Sequence, residues 1–395
     1  MKMGIIYFLL FTFGATATPQ KELSKELYLS HTEPQILLGE RFRCHPDHTL
    51  SCEEQEGLTL TLLERLEQDG HVKIVDNFIK DLSEKKLHLS SWLRLFDLVK
   101  RQHPGSTLLK NITMQIERRL KKQTHFSKQE STTLCLLWDT RFCSKSQKAT
   151  ITFPTTEQVR DLYHSLADLS NYQNGTYQDQ PRFFMFCRKT RKFPCLMVAK
   201  DRYGRPFLNK DGSTWTLPTL ALSRHGKKFN EFNGNTPAGI FTIDGVMPKA
   251  DNRFVFGKFR RLILDFLPAT EDEMLQKSFL PKSHANATWW NEATVARDLG
   301  RGLFRIHGTG LMNVDRSSPY YTFYATSGCI ATRENTYDNV NYKDQRHLLD
   351  SAMTASNLDP IYSNEVKIKG VLYVININNE QRQIEFSDLS PFGIE

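Results

Sequence analysis

Seven cysteines in 395 residues limit this chain most tightly, because six of them fall into three pairs of equal spacing. Cys44/Cys52, Cys135/Cys143 and Cys187/Cys195 are each eight positions apart, and Cys329 stands alone. Even, local pairs in an exported chain read as disulfides, and an odd cysteine reads as a reactive or intermolecular thiol. Each bridge closes a small loop, contributing about 2–3 kcal/mol in the chain-entropy picture. One pair leaves an alternative open. Cys44-His45-Pro46-Asp47-His48 with Cys52 holds residue types that also suit a metal ion, whereas no histidines accompany the other pairs.

The amino terminus supports export. Lys2, the apolar run Ile5–Phe13 and the A-x-A site Ala15-Thr16-Ala17 predict a signal peptide over residues 1–17. That run is too short to span a bilayer, and no later stretch of the sequence predicts a membrane span. The expected location is periplasmic or extracellular. The remainder is long enough for two domains, and 39% hydrophobic content with 26 Phe excludes disorder. A net charge of +8 favours an anionic polymer or membrane surface as partner over nucleic acid, because the charge is not gathered into one arm. Its clusters are Arg188–Lys192, Arg224/Lys227/Lys228 and Lys258/Arg260/Arg261, which read most simply as solvated faces.

Two halves differ in period. From Glu56 to about Ser170, apolar residues recur at helical spacing. The stripes are Leu58/Leu62/Leu66, Val75/Phe78/Ile79/Leu82, Trp92/Leu95/Phe96/Val99, Leu109/Ile112/Ile116/Leu120 and Val159/Leu162/Tyr163/Leu166/Leu169. They predict a helical domain over residues 18–175, stapled by two disulfides. The polar, turn-rich segment 171–181 is the expected boundary. Beyond it, Phe183–Cys187 and Cys195–Lys200 predict a hairpin stapled by Cys187–Cys195. Trp215–Ser223, Gly239–Ile243, Phe259–Phe266, Phe304–His307, Tyr320–Ala325 and Val371–Ile377 also read as strands. Residues 267–300, with Trp289-Trp290 and a helix over Glu292–Leu299, read as an inserted lid. The expected fold class is α+β.

Three short pieces of the second half carry chemistry. They are Asn235–Phe241 (NTPAGIF), Phe304–Thr309 (FRIHGT) and Thr326–Thr332 (TSGCIAT). A cysteine nucleophile needs a base or cation beside it, and histidine is the usual partner. His307 ends a strand-like run, and Cys329 follows Gly328 in a turn whose backbone N–H groups could converge on an oxyanion. The plainer reading of each is a buried core residue.

Together the T-P-x-G-x-F, I-H-G and S-x-G-C pieces make the chain resemble the L,D-transpeptidase (YkuD-type) catalytic domain over roughly residues 195–380. That resemblance implies a β-rich catalytic domain (182–380) and a cysteine acyltransferase. Its substrates would be peptidoglycan stem peptides, in contact with anionic wall polymer, and it implies no metal or organic cofactor. Cys329 would be the nucleophile and His307 the general base. The N–H groups of Ser327, Gly328 and Cys329 would form the oxyanion hole, and Gly308 would orient the base. Arg305, Thr236, Pro237 and Gly239 would shape the site, the last three chiefly as a rigid turn. The family commonly has S-H-G-C with a polar residue two positions after the cysteine. Here Ser327 replaces that second histidine and Ala331 the polar residue, and Arg333 is placed to bring a guanidinium from a shifted position. G-C-I-A-T is closer to a subgroup that includes hydrolases. The resemblance therefore implies a transpeptidase first, then an L,D-carboxypeptidase or amidase using the same acyl-enzyme, then an inactive wall-binding scaffold.

Overall fold

The computed structural model describes residues 49–68, 70–123, 125–143, 151–165, 168–170, 172–247, 253–267, 277 and 279–395, with scattered positions between 24 and 44. The expected signal peptide, His45 and His48, Leu166 and the first part of the inserted segment lie outside the described residues. The molecule is mixed α/β. All three equally spaced cysteine pairs, Cys44–Cys52, Cys135–Cys143 and Cys187–Cys195, are disulfides, leaving Cys329 as the unbridged cysteine. Bridged, Cys44 and Cys52 are not thiolate ligands for a metal. No helix among the described residues is long and apolar enough to cross a membrane.

The first half forms α1 (Cys52–Gln68), α2 (Val72–Ser83), α3 (Leu89–Gln102), α4 (Thr107–Lys122) and α5 (Lys128–Leu137). Their predicted stripes meet in one cluster that includes Leu63, Val75, Ile79, Leu95, Val99 and Ile116. Burial of such stripes, at about 25 cal/mol per Å² of apolar surface, holds helices that would be marginal alone. The apolar spacing did not announce α5. Its start is set by a capping box in which Ser127 and Glu130 satisfy each other's backbone N–H groups.

The second bridge of this half joins a helix to a turn and not a helix to a helix. Cys135 sits on α5, whereas Cys143 lies outside any helix, directly after the single 3₁₀ turn Thr140–Phe142. Their Cα atoms are 4.6 Å apart. The Cys135–Cys143 bridge folds the chain back on the end of α5, where Phe142 and Trp138 cover the helical core.

One predicted stripe belongs elsewhere. Val159, Leu162 and Tyr163 of α6 (Thr156–His164) pack with Phe184, Phe186 and Val198 of the sheet, not with the bundle. Leu169, Tyr172 and Tyr177 join them, so the change of core falls before α6 rather than at 171–181. Periodicity reports that a face is buried and is silent on its partner.

The sheet runs β3-β2-β1-β10-β4-β5-β6-β7. Its strands are β1 (Arg182–Arg188), β2 (Cys195–Lys200), β3 (Thr216–Thr219), β4 (Gly239–Val246), β5 (Leu262–Phe266), β6 (Phe304–His307), β7 (Ile330–Ala331) and β10 (Gly370–Asn378). A small hairpin of β8 (Thr336–Tyr337) and β9 (Val340–Asn341) stands apart. Cys187–Cys195 staples the β1–β2 hairpin as expected. Beyond β3 the chain bends across to the opposite edge. Leu220 N donates to Ala331 O at 2.9 Å, and Ala331 N donates to Leu220 O at 2.7 Å. The two edges of the sheet thus meet, which removes the unpaired rims an open sheet would expose. This seam holds the short strand β7 in place.

Two further expectations are corrected. Tyr320–Ala325 is a turn and an irregular segment rather than a strand, because Tyr321, Phe323 and Ser318 close turn hydrogen bonds there. The described part of the insertion is a packed layer and not a lid: Trp289, Trp290 and most of α7 (Asn291–Asp298) are buried against the sheet. Gly239, at φ +154, lets α7 approach, since a Cβ there would overlap that of Ala293. A helix the sequence reading did not foresee, α8 (Asp344–Ala355), covers one sheet face through Leu348, Leu349 and Met353. The last residues pack too: Leu389, Phe392 and Ile394 lie in the core beyond residue 380.

Candidate active site

Cys329 is half-buried and lines a cavity of about 440 Å³, a volume ordinary for a small-molecule or peptide site. The cavity lies between the two halves of the molecule. Gly57, Thr61 and Arg94 of the helical half form one wall, and Ser327, Gly328 and Leu303 of the sheet half form the other. The cover over the cysteine therefore comes from the amino-terminal helices.

The loop before β7 is shaped by its carbonyls. Thr236 Oγ1 donates to Gly328 O at 2.8 Å, and Thr326 Oγ1 donates to Cys329 O at 2.6 Å. Thr236 thus touches the cysteine loop directly, where the sequence suggested only a rigid turn. Gly328 has φ +109, and a Cβ there would sit 2.7 Å from Gly234 O and 2.9 Å from Arg301 Nη2. Only glycine fits that conformation and that gap. Among the described residues, no hydrogen bond uses the N–H groups of Ser327 or Gly328. Two carbonyls held back with two donors open is a disposition suited to a developing oxyanion. The Cys329 thiol donates to Leu303 O, Sγ···O 3.7 Å. Leu303 itself has φ +61, a left-handed conformation that disfavours a side chain with a Cβ.

His307 is placed by register. β6 and β7 run parallel with Ile306 opposite Ile330 and His307 opposite Ala331. Alternation along the strands puts His307, Arg305 and Ala331 on one face, away from Ile306 and Ile330, which face α8; Cys329 lies in the bend just before β7, and His307 is not among the residues that line the cavity. His307 Nδ1 lies 2.5 Å from Gly308 O, which assigns the proton to Nδ1 and leaves Nε2 as the basic nitrogen. Burial lowers the His307 pKa to about 4, helped by the Arg261 and Arg305 guanidinium groups and opposed by the Gly308 carbonyl. The imidazole is neutral at physiological pH. Gly308 is glycine because a Cβ would run into the Glu334 carboxyl group, whose pKa burial raises to about 7.

The remaining expected residues divide. Arg305 is buried on β6, donating to Phe304 O at 2.7 Å. Pro237 is buried between Thr236 and β4. Arg333 turns to Asp344 at 2.5 Å and stacks on Tyr342, and it does not line the cavity. The bridged cysteines, Cys44, Cys52, Cys135, Cys143, Cys187 and Cys195, do not line it either, so they act as staples outside the chemistry. Of the basic cluster 188–192, Arg188 and Arg191 are buried rather than solvated, with Arg188 paired to Asp388 at 2.8 Å.

The guanidinium at the cysteine is Arg301, which the sequence reading missed. It is buried, donates to Gly234 O at 2.7 Å and to Asn235 O at 3.1 Å, and also bonds Phe229 O. Burial lowers its pKa to about 9, opposed by Cys329, Glu231 and Glu292, so it remains a cation at neutral pH. No motif marks it, since a basic residue one turn after a helix is commonplace. Family models, curated proteins and solved structures return no match to this chain.

Proposed function

We propose that this protein is a cysteine acyltransferase of the L,D-transpeptidase kind, acting on peptidoglycan stem peptides outside the cytoplasm. One observation carries the reading. The single unbridged cysteine lines a cavity at a positive-φ turn, one strand from a histidine whose Nδ1 is tied to a carbonyl. In this scheme Cys329 sulfur attacks the carbonyl at the L-centre of the third stem residue. The thiol proton passes to His307 Nε2, and the tetrahedral oxyanion is met by the Ser327 and Gly328 N–H groups. Collapse breaks the peptide bond, and the departing amine of the terminal D-residue takes the proton from His307. An amine then attacks the thioester and regenerates the thiol, giving a 3–3 cross-link, a D-amino-acid exchange or an attached protein. Three disulfides accord with an oxidising compartment.

The test is incubation of the purified protein with tetrapeptide muropeptides, with and without D-amino acids, followed by mass spectrometry. Cross-linked dimers or exchanged tetrapeptides are expected, and both should vanish in Cys329→Ala. Tripeptide alone in the presence of abundant amine would replace transfer with hydrolysis. No conversion, together with no Cys329 adduct after carbapenem treatment, would leave only a wall-binding scaffold.

A further inference from the structure

A cysteine–histidine pair usually holds its thiolate with an imidazolium, but the charges around Cys329 are arranged otherwise. His307 lies buried on β6 on the same face as Arg305, and its Nδ1 proton is committed to Gly308 O. A second positive charge there would add to those of Arg305 and Arg261. Arg301, unlike His307, lines the cavity with Cys329. Among the described residues, every hydrogen bond it makes goes to an uncharged carbonyl: Phe229, Asn235 and Gly234. It is 8% exposed and forms no carboxylate ion pair among the described residues, unlike the buried Arg94, which pairs with Glu64 at 3.1 Å. A buried cation satisfied only by dipoles favours a nearby anion. Nη2 comes within 2.9 Å of the point where a Gly328 Cβ would lie, directly beside the backbone that carries Cys329.

We infer that Arg301 is the positioning residue that makes Cys329 a nucleophile: its guanidinium stabilises the thiolate, while neutral His307 serves as proton acceptor and donor during acyl transfer. Ionisation breaks the S–H bond and leaves the electron pair on sulfur; in the free enzyme the proton passes to water, and in the substrate complex it passes to His307 Nε2, which returns it to the departing amine. The same guanidinium also anchors the loop 229–235 through its three carbonyl contacts. The other charged groups that face the thiol's surroundings are Glu53, Glu54 and Arg94 from the helices, Lys25, and Asp265 and Arg297 from the sheet half. Glu231 and Glu292 act on Arg301 from farther off. All of them stay in place in the comparison below.

The inference rests on the reading of Cys329 as nucleophile, but its test needs no peptide substrate, so the two can fail separately. Cys329 is the one cysteine not bridged, so its alkylation by iodoacetamide can be followed by intact mass as pH is varied. The inflection reports thiol ionisation, and the high-pH plateau reports access. Wild type should inflect at least about one unit below the ordinary thiol value near 8.5. Arg301→Gln should move the inflection up by about 1–3 units, the effect of removing a close opposite charge, and slow alkylation at pH 6.5 about tenfold or more. Arg301→Lys should restore most of the depression. His307→Ala should leave the inflection within about half a unit of wild type. The inference is overturned by a wild-type inflection near 8.5, by an unmoved inflection in Arg301→Gln, or by an upward shift in His307→Ala as large as that expected of Arg301→Gln. Should Arg301→Gln fail to fold, as judged by near-ultraviolet circular dichroism, His307→Ala decides. With Arg301 present, a depressed inflection upholds it and a normal one overturns it.

Discussion

The helical half and the sheet half each offer a buried arginine to the cavity between them, and the two are treated differently. Arg94 on α3 is paired with Glu64, donates to Gly57 O at 2.6 Å and lies 3.6 Å over the Phe232 ring of the opposite half. Its charge is cancelled locally, so it works as a clamp between the halves. Arg301 meets only carbonyls, beside a turn with open N–H groups and a half-buried thiol. Paired charge marks structure here, and charge satisfied only by dipoles marks the place where an anion forms. Beside that second arginine in the cavity wall stands Leu303, held in a left-handed turn.

That contrast can be broken by substitution. The largest expected effect lies on the sheet side. Cys329→Ala should cut peptide turnover at least about 10³-fold while leaving the melting temperature nearly unchanged, because the side chain supplies chemistry rather than packing. A large loss of stability instead would make the cysteine a core residue. On the helical side the balance should reverse. Arg94→Ala leaves Glu64 buried without its cation and should cost about 3–5 kcal/mol in chemical denaturation, the usual penalty for breaking a buried pair. If Arg94→Ala proves harmless, the clamp reading is wrong.

A smaller effect concerns pH. The folded His307 titrates near 4, below its ordinary 6.5, so between those values the unfolded chain binds a proton that the folded chain refuses. Stability therefore rises with pH across this window and is lost as pH falls from about 6.5 toward 4, by on the order of 3 kcal/mol in full. His307→Phe should flatten that part of a urea-denaturation profile, and an unchanged slope would place the acid sensitivity elsewhere. The smallest effect sharpens the site itself. Thr236→Val removes the donor to Gly328 O and should cost about 1–2 kcal/mol of stability. Turnover should fall about tenfold through kcat rather than KM, measured with the muropeptide assay. A change confined to KM would move Thr236 from shaping the turn to contacting substrate.

Much of the architecture could be read from residue order. Equal cysteine spacing identified the three bridges and the unbridged thiol, since small loops close readily when their ends already lie near. Spacing did not say what each bridge joins: Cys135 lies on α5, and Cys143 follows a 3₁₀ turn. Helical stripes located α1 to α4, and β-type runs located β1, β2, β6 and β10, because those patterns follow from which faces are buried. The candidate site was only half legible. Cys329, His307, Gly308 and Thr236 stood out in short motifs, and the register of β6 and β7 sets His307 opposite Ala331, two residues after the cysteine. Arg301 and Leu303 did not stand out. Their roles depend on backbone carbonyls of a loop some 70 residues away and on a left-handed turn, neither of which has a local signature.

Cys329 shows where that division lies. Its sequence determined that it is unbridged and follows a glycine, because covalent pairing and backbone freedom are properties of residue type and spacing. Tertiary structure alone decided its surroundings. The closing of the sheet at Leu220 and Ala331 fixes β7, the helical half walls the cavity, and Arg301 reaches the cysteine turn. Long-range electrostatics and burial depend on which distant segments pack together, and that information exists only once the chain has folded.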